Sequence, residues 1–436
     1  VAEHDDAAVD PAVDPSVDPS VDPAGLAGAD VAASLFEELL RRTHLTRPFE
    51  VADVVAEEVR RALGARAVTT FWVNRERDAL VPLAGGAAAT RGPQDVEGTV
   101  AGRCYTSGTV IDVACAEPGW RRVFVPVLDG TDRIGAMELE VPVGEADELP
   151  HRLLLVLERY GHAVAHVLVA KRPYGDALEV AQRTRPVAVG AEMLWAALPP
   201  LTFACDGLVV SGMVEPTYDN GGDAFDYAVN REATHLAVFD AVGHGLAAAG
   251  LSTFTLGAYR HSRRAGADLV ETYTAVDAAV TETFAEGAFI TGVLAQLDTG
   301  TGTLRWVNAG HPPPLLLRDG RVVKELAATP ATPLGMPMFG TRPAVAHEQL
   351  EPGDTVVLYT DGVVEARLPD GGMLGVAGLV DFVTREAAAH RSPPETLRRL
   401  QQVLTSPDVV RLDDDATVLL VEWRGGSERT LLPQTV

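Results

Sequence analysis

Four aspartates carry the chemistry that this sequence can perform. Asp223 lies in Asn220-Gly-Gly-Asp-Ala-Phe-Asp-Tyr227 and Asp240 in Phe239-Asp-Ala-Val-Gly-His-Gly245. Asp361 follows in Tyr359-Thr-Asp-Gly362, and Asp414 in Asp413-Asp-Asp-Ala-Thr417. Each is expected at a tight bend beside a strand-like apolar run, where a carboxylate is costly to desolvate unless something pairs with it. Arg411 is the one basic residue close in sequence to any of the four, and it cannot serve them all. Divalent cations are therefore the natural partner. Aspartates, backbone carbonyls and waters suit Mg²⁺ or Mn²⁺, and the sequence has no His/Cys cluster with zinc spacing. Two such ions would supply an activated water and neutralise a transferring phosphoryl group. Singly these motifs say little, because an Asp-Gly is more often a turn than a ligand. Their joint occurrence and order are the signal.

The elements that must position these acids can be read from periodicity. Strand patterns cover Gly207 to Val214, Phe225 to Val229, Thr234 to Asp240, Phe289 to Leu297, Gly302 to Asn308, Pro314 to Arg318, Arg321 to Glu325, Thr355 to Tyr359 and Ala416 to Trp423. Helical spacing covers His244 to Arg264, Asp268 to Ala285, Val376 to His390 and Pro394 to Leu404. Two groups of strands around a central helix pair predict a layered α+β domain, two sheets flanked by helices, over residues 201–424. A connector over 172–200 is broken by Pro173 and Pro186, with helical spacing from Val187 to Leu198 that must stop at Pro199-Pro200.

Upstream, residues 31–171 read as a separate unit. Helices are predicted at Val31 to Arg42 and Val51 to Leu63. Strands follow at Ala67 to Val73 and Leu80 to Leu83, then a helical Gly98 to Ser107. Further strands at Thr109 to Val113, Arg122 to Val127 and Gly135 to Val143 lead into a long amphipathic helix from Glu148 to Ala170. Residues 1–30 hold four turns of Val-Asp-Pro-Ala/Ser, which block helix and repel one another, so they read as a solvated disordered leader rather than a binding tail. Residues 425–436 read as a tail.

Composition bounds the function classes. A chain of 436 residues exceeds one ordinary domain. Its formal net charge of −25 disfavours nucleic acid and anionic membrane as partners. No uninterrupted apolar run spans a bilayer, no signal-peptide pattern is read, and three scattered cysteines argue for a reducing cytoplasm.

Two resemblances follow from these residues. The order of elements in 31–171, with Gly98-Thr-Val-Ala-Gly-Arg-Cys-Tyr-Thr-Ser-Gly108, resembles a GAF sensory domain, an α/β/α unit. Some such domains hold cyclic nucleotides, haem or bilins, and Cys104 could be offered as a ligand. A core role for Cys104, and a unit that dimerises without a ligand, is the alternative carried forward. In the second half, Gly221-Gly222-Asp223-Ala-Phe-Asp226, Asp240-Ala-Val-Gly-His-Gly245, Asn308-Ala-Gly-His-Pro-Pro-Pro314, Pro333-Leu-Gly335, Tyr359-Thr-Asp-Gly362 and Asp414-Asp-Ala-Thr417 stand in series. Together they resemble the PPM family of metal-dependent serine/threonine phosphatases, and its bacterial SpoIIE-type branch more narrowly. Ala224 stands where that branch usually has a large residue.

The resemblance implies an α/β/β/α sandwich and two Mg²⁺ or Mn²⁺ ions. Asp223 and Asp240 would bridge or bind the two metals, with the Ala241 carbonyl as a further ligand, and Asp361 and Asp414 would complete the coordination of the second metal. Asp415 would be a neighbouring polar residue. His244 is a candidate general acid, although its spacing from Asp240 differs from the eukaryotic Asp-Gly-His, and capping the following helix is the other role open to it. His311 would shape a sheet-end loop, and Asp226 would be structural. The implied substrate is a phosphorylated anti-sigma-factor antagonist of the STAS type, with an unknown signal acting at the GAF-like unit of a possible homodimer. Two rival readings are a pseudophosphatase that binds without turnover and a small-molecule phosphohydrolase.

Overall fold

The computed structural model describes residues 29–83, 92–144, 148–219, 221–336, 343–406 and 410–425. The expected leader and tail lie outside the described residues, apart from their inner edges. The chain divides into two compact units, one formed mainly by residues up to Gln182 and the other mainly from Arg183 onward. That boundary falls inside the expected connector.

The first unit contains α1 (Ala29–Thr43), α2 (Val51–Leu63), β1 (Ala67–Val73), β2 (Ala79–Pro82), β3 (Gln94–Asp95), α3 (Val100–Ser107), β4 (Ile111–Ala114), β5 (Trp120–Asp129), β6 (Asp132–Pro142), α4 (His151–Lys171) and α5 (Ala177–Ala181). In α2 the apolar positions Val51, Val55, Val59 and Leu63 recur at helical spacing and are all buried, and Gly64 ends the helix at φ 63°. The six strands form one sheet in the order β3-β2-β1-β6-β5-β4. Alternation along β1 sends Val68 and Trp72 to the core shared with α1, α2 and α4. Phe71 and Val73 go to the opposite core, with Ala101, Cys104 and Tyr105 of α3. This is the sheet with helices on both faces expected for the first half. Among the described residues α4 is long and apolar enough to cross a membrane by length and composition. Here Leu153, Leu157, Tyr160, Val164 and Leu168 make it a core helix.

The second unit contains α6 (Val189–Ala197), β7 (Thr202–Cys205), β8 (Leu208–Glu215), β9 (Asp223–Val229), β10 (Thr234–Ala241), α7 (Leu246–Arg264), α8 (Leu269–Thr283), β11 (Ile290–Asp298) and β12 (Thr303–Ala309). It continues with β13 (Leu315–Arg318), β14 (Arg321–Glu325), β15 (Ala346–Gln349), β16 (Thr355–Tyr359), α9 (Asp361–Glu365), α10 (Gly375–Ala388), α11 (Pro393–Thr405) and β17 (Ala416–Trp423). One sheet runs β15-β12-β11-β10-β9 and the other β14-β13-β16-β17-β8-β7.

Side-chain alternation shows how the layers stack. Phe225, Leu236 and Val238 of the first sheet share a core with Val210, Val356, Leu358, Leu419 and Val421 of the second. Ala237 and Phe239, on the other side of β10, pack with Leu256 and Tyr259 of α7 and Val276 of α8. The far side of the second sheet, including Val357 and Val418, packs with Leu379, Leu397 and Leu400 of α10 and α11. The result is an α/β/β/α sandwich, as expected.

Five short elements, β3, α5, β7, β15 and α9, had no sequence expectation. Two acids also stand differently from their expected bends. Asp223 opens β9, and Asp361 opens the single-turn helix α9.

Candidate metal centre

Strand alternation that fills the space between the two sheets also places the acids at its end. Asp223 shares its side of β9 with Phe225, and Asp240 shares its side of β10 with Leu236 and Val238. The two aspartates are directly paired across the antiparallel strands. From the other sheet, Asp415 and Thr417 share the side of Leu419, while Thr360 follows Leu358 at the same spacing. The acids therefore stand where the inter-sheet hydrocarbon runs out.

Asp223 is only 1% exposed. The Thr360 hydroxyl donates to its Oδ2 at 2.6 Å, and Thr360 Oγ1 accepts from the Thr417 backbone N–H at 2.8 Å. Burial, then the neighbouring Asp240 and Asp415 charges, hold the Asp223 carboxyl well above the usual range, against the opposing Thr360 bond. Burial likewise pushes Asp240 up to about 7, helped by Asp361, Asp414 and Asp415 in turn. Asp361 is raised by burial and by Asp414, although α9 backbone N–H groups oppose the shift.

Among the described residues, no Lys, Arg or His forms an ion pair with Asp223, Asp240, Asp361 or Asp414. Arg411 and Arg367 both turn to the exposed Asp413 instead. Burial and neighbouring carboxylates raise the proton affinity of Asp223, Asp240, Asp361 and Asp415, and a group of acids with no cationic side chain among them suits bound divalent cations. Among the described residues no three acidic or histidine side chains already stand in a closed ligand cage. The acids lie within electrostatic reach of one another, and the donor set fits hard cations.

Asp415 holds the site's shape. Its Oδ2 accepts from the Gly221 and Gly222 backbone N–H groups at 3.0 and 2.6 Å. A Cβ on Gly221 would strike the Gly245 backbone nitrogen, and one on Gly362 would strike the Asp415 carbonyl. Only glycine permits both approaches. The Gly222 carbonyl accepts from Ser252 Oγ and, at 3.3 Å, from the Ala241 N–H. The Gly-Gly turn is thus locked to β10, α7 and the Asp415 loop. Asp414 is exposed, and its Oδ1 accepts from the Asp415 N–H at 2.9 Å.

Two of the named residues are structural ties. Asp226, 1% exposed, accepts from Arg260 at 2.6 Å and Arg263 at 2.9 Å, which joins β9 to α7. His311 donates from Nε2 to the Tyr359 carbonyl at 3.0 Å, and Nδ1 accepts from Thr291 at 2.8 Å. Burial depresses its pKa to about 4, so the ring is neutral and fully engaged. His244 is exposed in the loop ahead of α7 and caps nothing, since Gly245 occupies the cap position.

The sequence profile of the family described as Stage II sporulation protein E (SpoIIE) matches residues 230–424. That span begins after Asp223 and takes in Asp240, Asp361, Asp414 and Asp415. Residues 230–424 are thus similar to the SpoIIE family's domain. Protein IcfG of Synechocystis sp. is 28% identical over 134 residues, which is 30% of this chain and 20% of that protein. The match therefore spans about a fifth of that relative. Among solved structures, the RsbU and RsbW domains of Rv1364c from Mycobacterium tuberculosis align at 30% identity and TM-score 0.45, covering 50% of this chain and 62% of the other. The PP2C phosphatase domain of SpoIIE from Bacillus subtilis, with a fragment of its regulatory domain, aligns at 18% identity and TM-score 0.41, covering 50% and 65%.

Sequence reasoning gave Asp415 a neighbouring, supporting role and passed over Thr360, Thr417 and Ser252. Strand parity carries the missing signal only once the inner face of β17 is known: Thr417, Leu419 and Val421 alternate onto it, and Asp415, just ahead of the strand, continues the series.

Proposed function

We propose that this protein is a Mg²⁺- or Mn²⁺-dependent phosphatase acting on phosphoserine or phosphothreonine in a protein substrate. The observation that carries the reading is the gathering of Asp223, Asp240, Asp361, Asp414 and Asp415 at the inter-sheet mouth without a cationic partner. Asp223, Asp240 and the Ala241 carbonyl would hold one ion, and Asp361 with Asp414 would complete the site for a second. Bound ions supply Lewis acidity toward the phosphoryl oxygens and a water deprotonated near neutral pH. The chain's own residues do the positioning. Thr360 fixes the Asp223 carboxylate, Asp415 fixes the Gly221-Gly222 turn, and His311 anchors the end of β16 from which Asp361 projects. The exposed His244 suits a proton donor to the departing serine oxygen.

In this reading the substrate is a phosphorylated anti-sigma-factor antagonist of the STAS type, met in the cytoplasm. The first unit, with its GAF-like layout, would receive a signal and regulate the phosphatase within a homodimer. The match of residues 230–424 to the SpoIIE family supports that branch of substrates.

The test is Mn²⁺-dependent hydrolysis of p-nitrophenyl phosphate and a phosphoserine peptide by the full chain, compared with Asp240→Asn and Asp361→Asn. Losing a residue that merely supports a metal ligand costs roughly 10–100-fold, so losing a ligand should cost at least about a hundredfold. Metal-independent hydrolysis, or variants as active as the parent, would refute the assignment. A wild type that binds metal and a phosphoprotein without turnover would favour the pseudophosphatase.

A further inference from the structure

The stretch that leaves Asp240 carries neither a carboxylate nor a strong base. Residues 241–259 contain no Asp, Glu, Lys or Arg, in a chain where charged residues make up 22% and the net charge is −25. Its outward-facing part is mainly the loop and the first turn of α7, where Val242, Gly243, His244, Leu246 and Ala247 are exposed. Val242 is 41% exposed and Leu246 57% exposed, immediately beyond the acid cluster. Gly243 and Gly245 adopt φ 84° and 75°, so this backbone course is not open to ordinary side chains. Around Gly243, Gly245 and Gly250 no atom lies within 4 Å of where a Cβ would stand.

The loop is also fixed to the site. The Val242 N–H donates to the Phe289 carbonyl at 3.1 Å, and the Gly245 nitrogen abuts Gly221. The surface here is therefore a fixed shelf without carboxylates, carrying two large apolar side chains on either side of His244 and continuous with Asp240 and Ala241.

We infer that this shelf docks the polypeptide on either side of the phosphorylated residue and selects chains with a large apolar side chain next to it. The inference rests on the phosphatase reading and specifies the substrate for that same site. Its physical basis is twofold. An anionic phosphopeptide is repelled by an acidic surface, and the exposed loop over 242–247 adds no carboxylate to repel it. Exposed apolar area beside a reacting centre gives binding energy only to a substrate that covers it, as Val242 and Leu246 would be covered by an apolar neighbour of the phosphoserine. The open glycine positions let the substrate backbone come close enough for that contact.

The experiment uses the full chain and three substrates: p-nitrophenyl phosphate, a phosphoserine peptide flanked by leucine, and the same peptide flanked by serine. The wild type should prefer the leucine peptide to the serine peptide about tenfold in kcat/KM, mainly through KM. Val242→Ser and Leu246→Ser should bring the ratio of leucine-peptide to p-nitrophenyl phosphate turnover down by a similar factor. Equal use of both peptides by the wild type would overturn the inference, as would a ratio untouched by either substitution. A change of oligomeric state in Leu246→Ser with peptide preference intact would also overturn it, and would assign the face to a second copy. Absence of metal-dependent hydrolysis of p-nitrophenyl phosphate would instead mean that the phosphatase reading itself has failed.

Discussion

Asp240 shows how one side chain can be both a liability to the fold and a handle for function. Its carboxyl is pushed up to about 7 by burial and by Asp361, Asp414 and Asp415, from an ordinary value near 3.8. Between those values the metal-free native state holds a proton that the unfolded chain has released, so stability falls as pH rises through that window. Thermal unfolding of metal-free protein should therefore show a Tm that declines from about pH 4 to pH 7. Asp240→Asn should flatten the decline, and Mn²⁺ should raise the wild-type Tm at the upper end. A metal-free Tm that rises with pH across this window in the wild type, with no effect of the substitution, would contradict the account. Gly362 gives a steric counterpart. A methyl there must displace the Asp415 carbonyl, so Gly362→Ala should destabilise by about 1–3 kcal/mol in urea unfolding. The same variant should weaken Mn²⁺ binding in a titration, because Asp415 holds the Gly221-Gly222 turn.

At the scale of elements, the site depends on how β9 and α7 are held, since β9 begins with Asp223 and α7 follows the loop after Asp240. The buried Asp226, paired with Arg260 and Arg263, is the tie between them. Removing one partner of a buried ion pair strands the others, so Asp226→Ala should cost about 3–5 kcal/mol in urea unfolding. An effect below about 1 kcal/mol would reduce the tie to a surface-type pair. β1, β14, β16, β17 and α2 have the limits their periodicity predicts. Several of the shortest elements carried no such pattern. β7 and β15 are four-residue edge strands, and α9 is a single turn whose Asp-Gly opening reads as a bend. The misreading of Asp361 has that origin.

Over the whole molecule, the sandwich is what brings acids from distant parts of the sequence to one place. Glycine-adjacent aspartates pointed to a cation site, but the sequence could not say which member of Asp413-Asp-Asp415 faces inward. Asp413 takes up Arg367 and Arg411, Asp414 is exposed near Asp240 and Asp361, and Asp415 is buried beneath the glycine turn. That division of labour depends on the parity of β17 against a sheet formed by strands from across the unit, which local sequence does not encode. The most direct test of the central claim is Mn²⁺ binding by isothermal titration calorimetry to wild type, Asp240→Asn and Asp415→Asn near neutral pH. The wild type should bind two ions, Asp240→Asn should lose binding, and Asp415→Asn should bind more weakly. A wild type that binds no Mn²⁺, or an Asp240→Asn variant that binds as the wild type does, would contradict that claim.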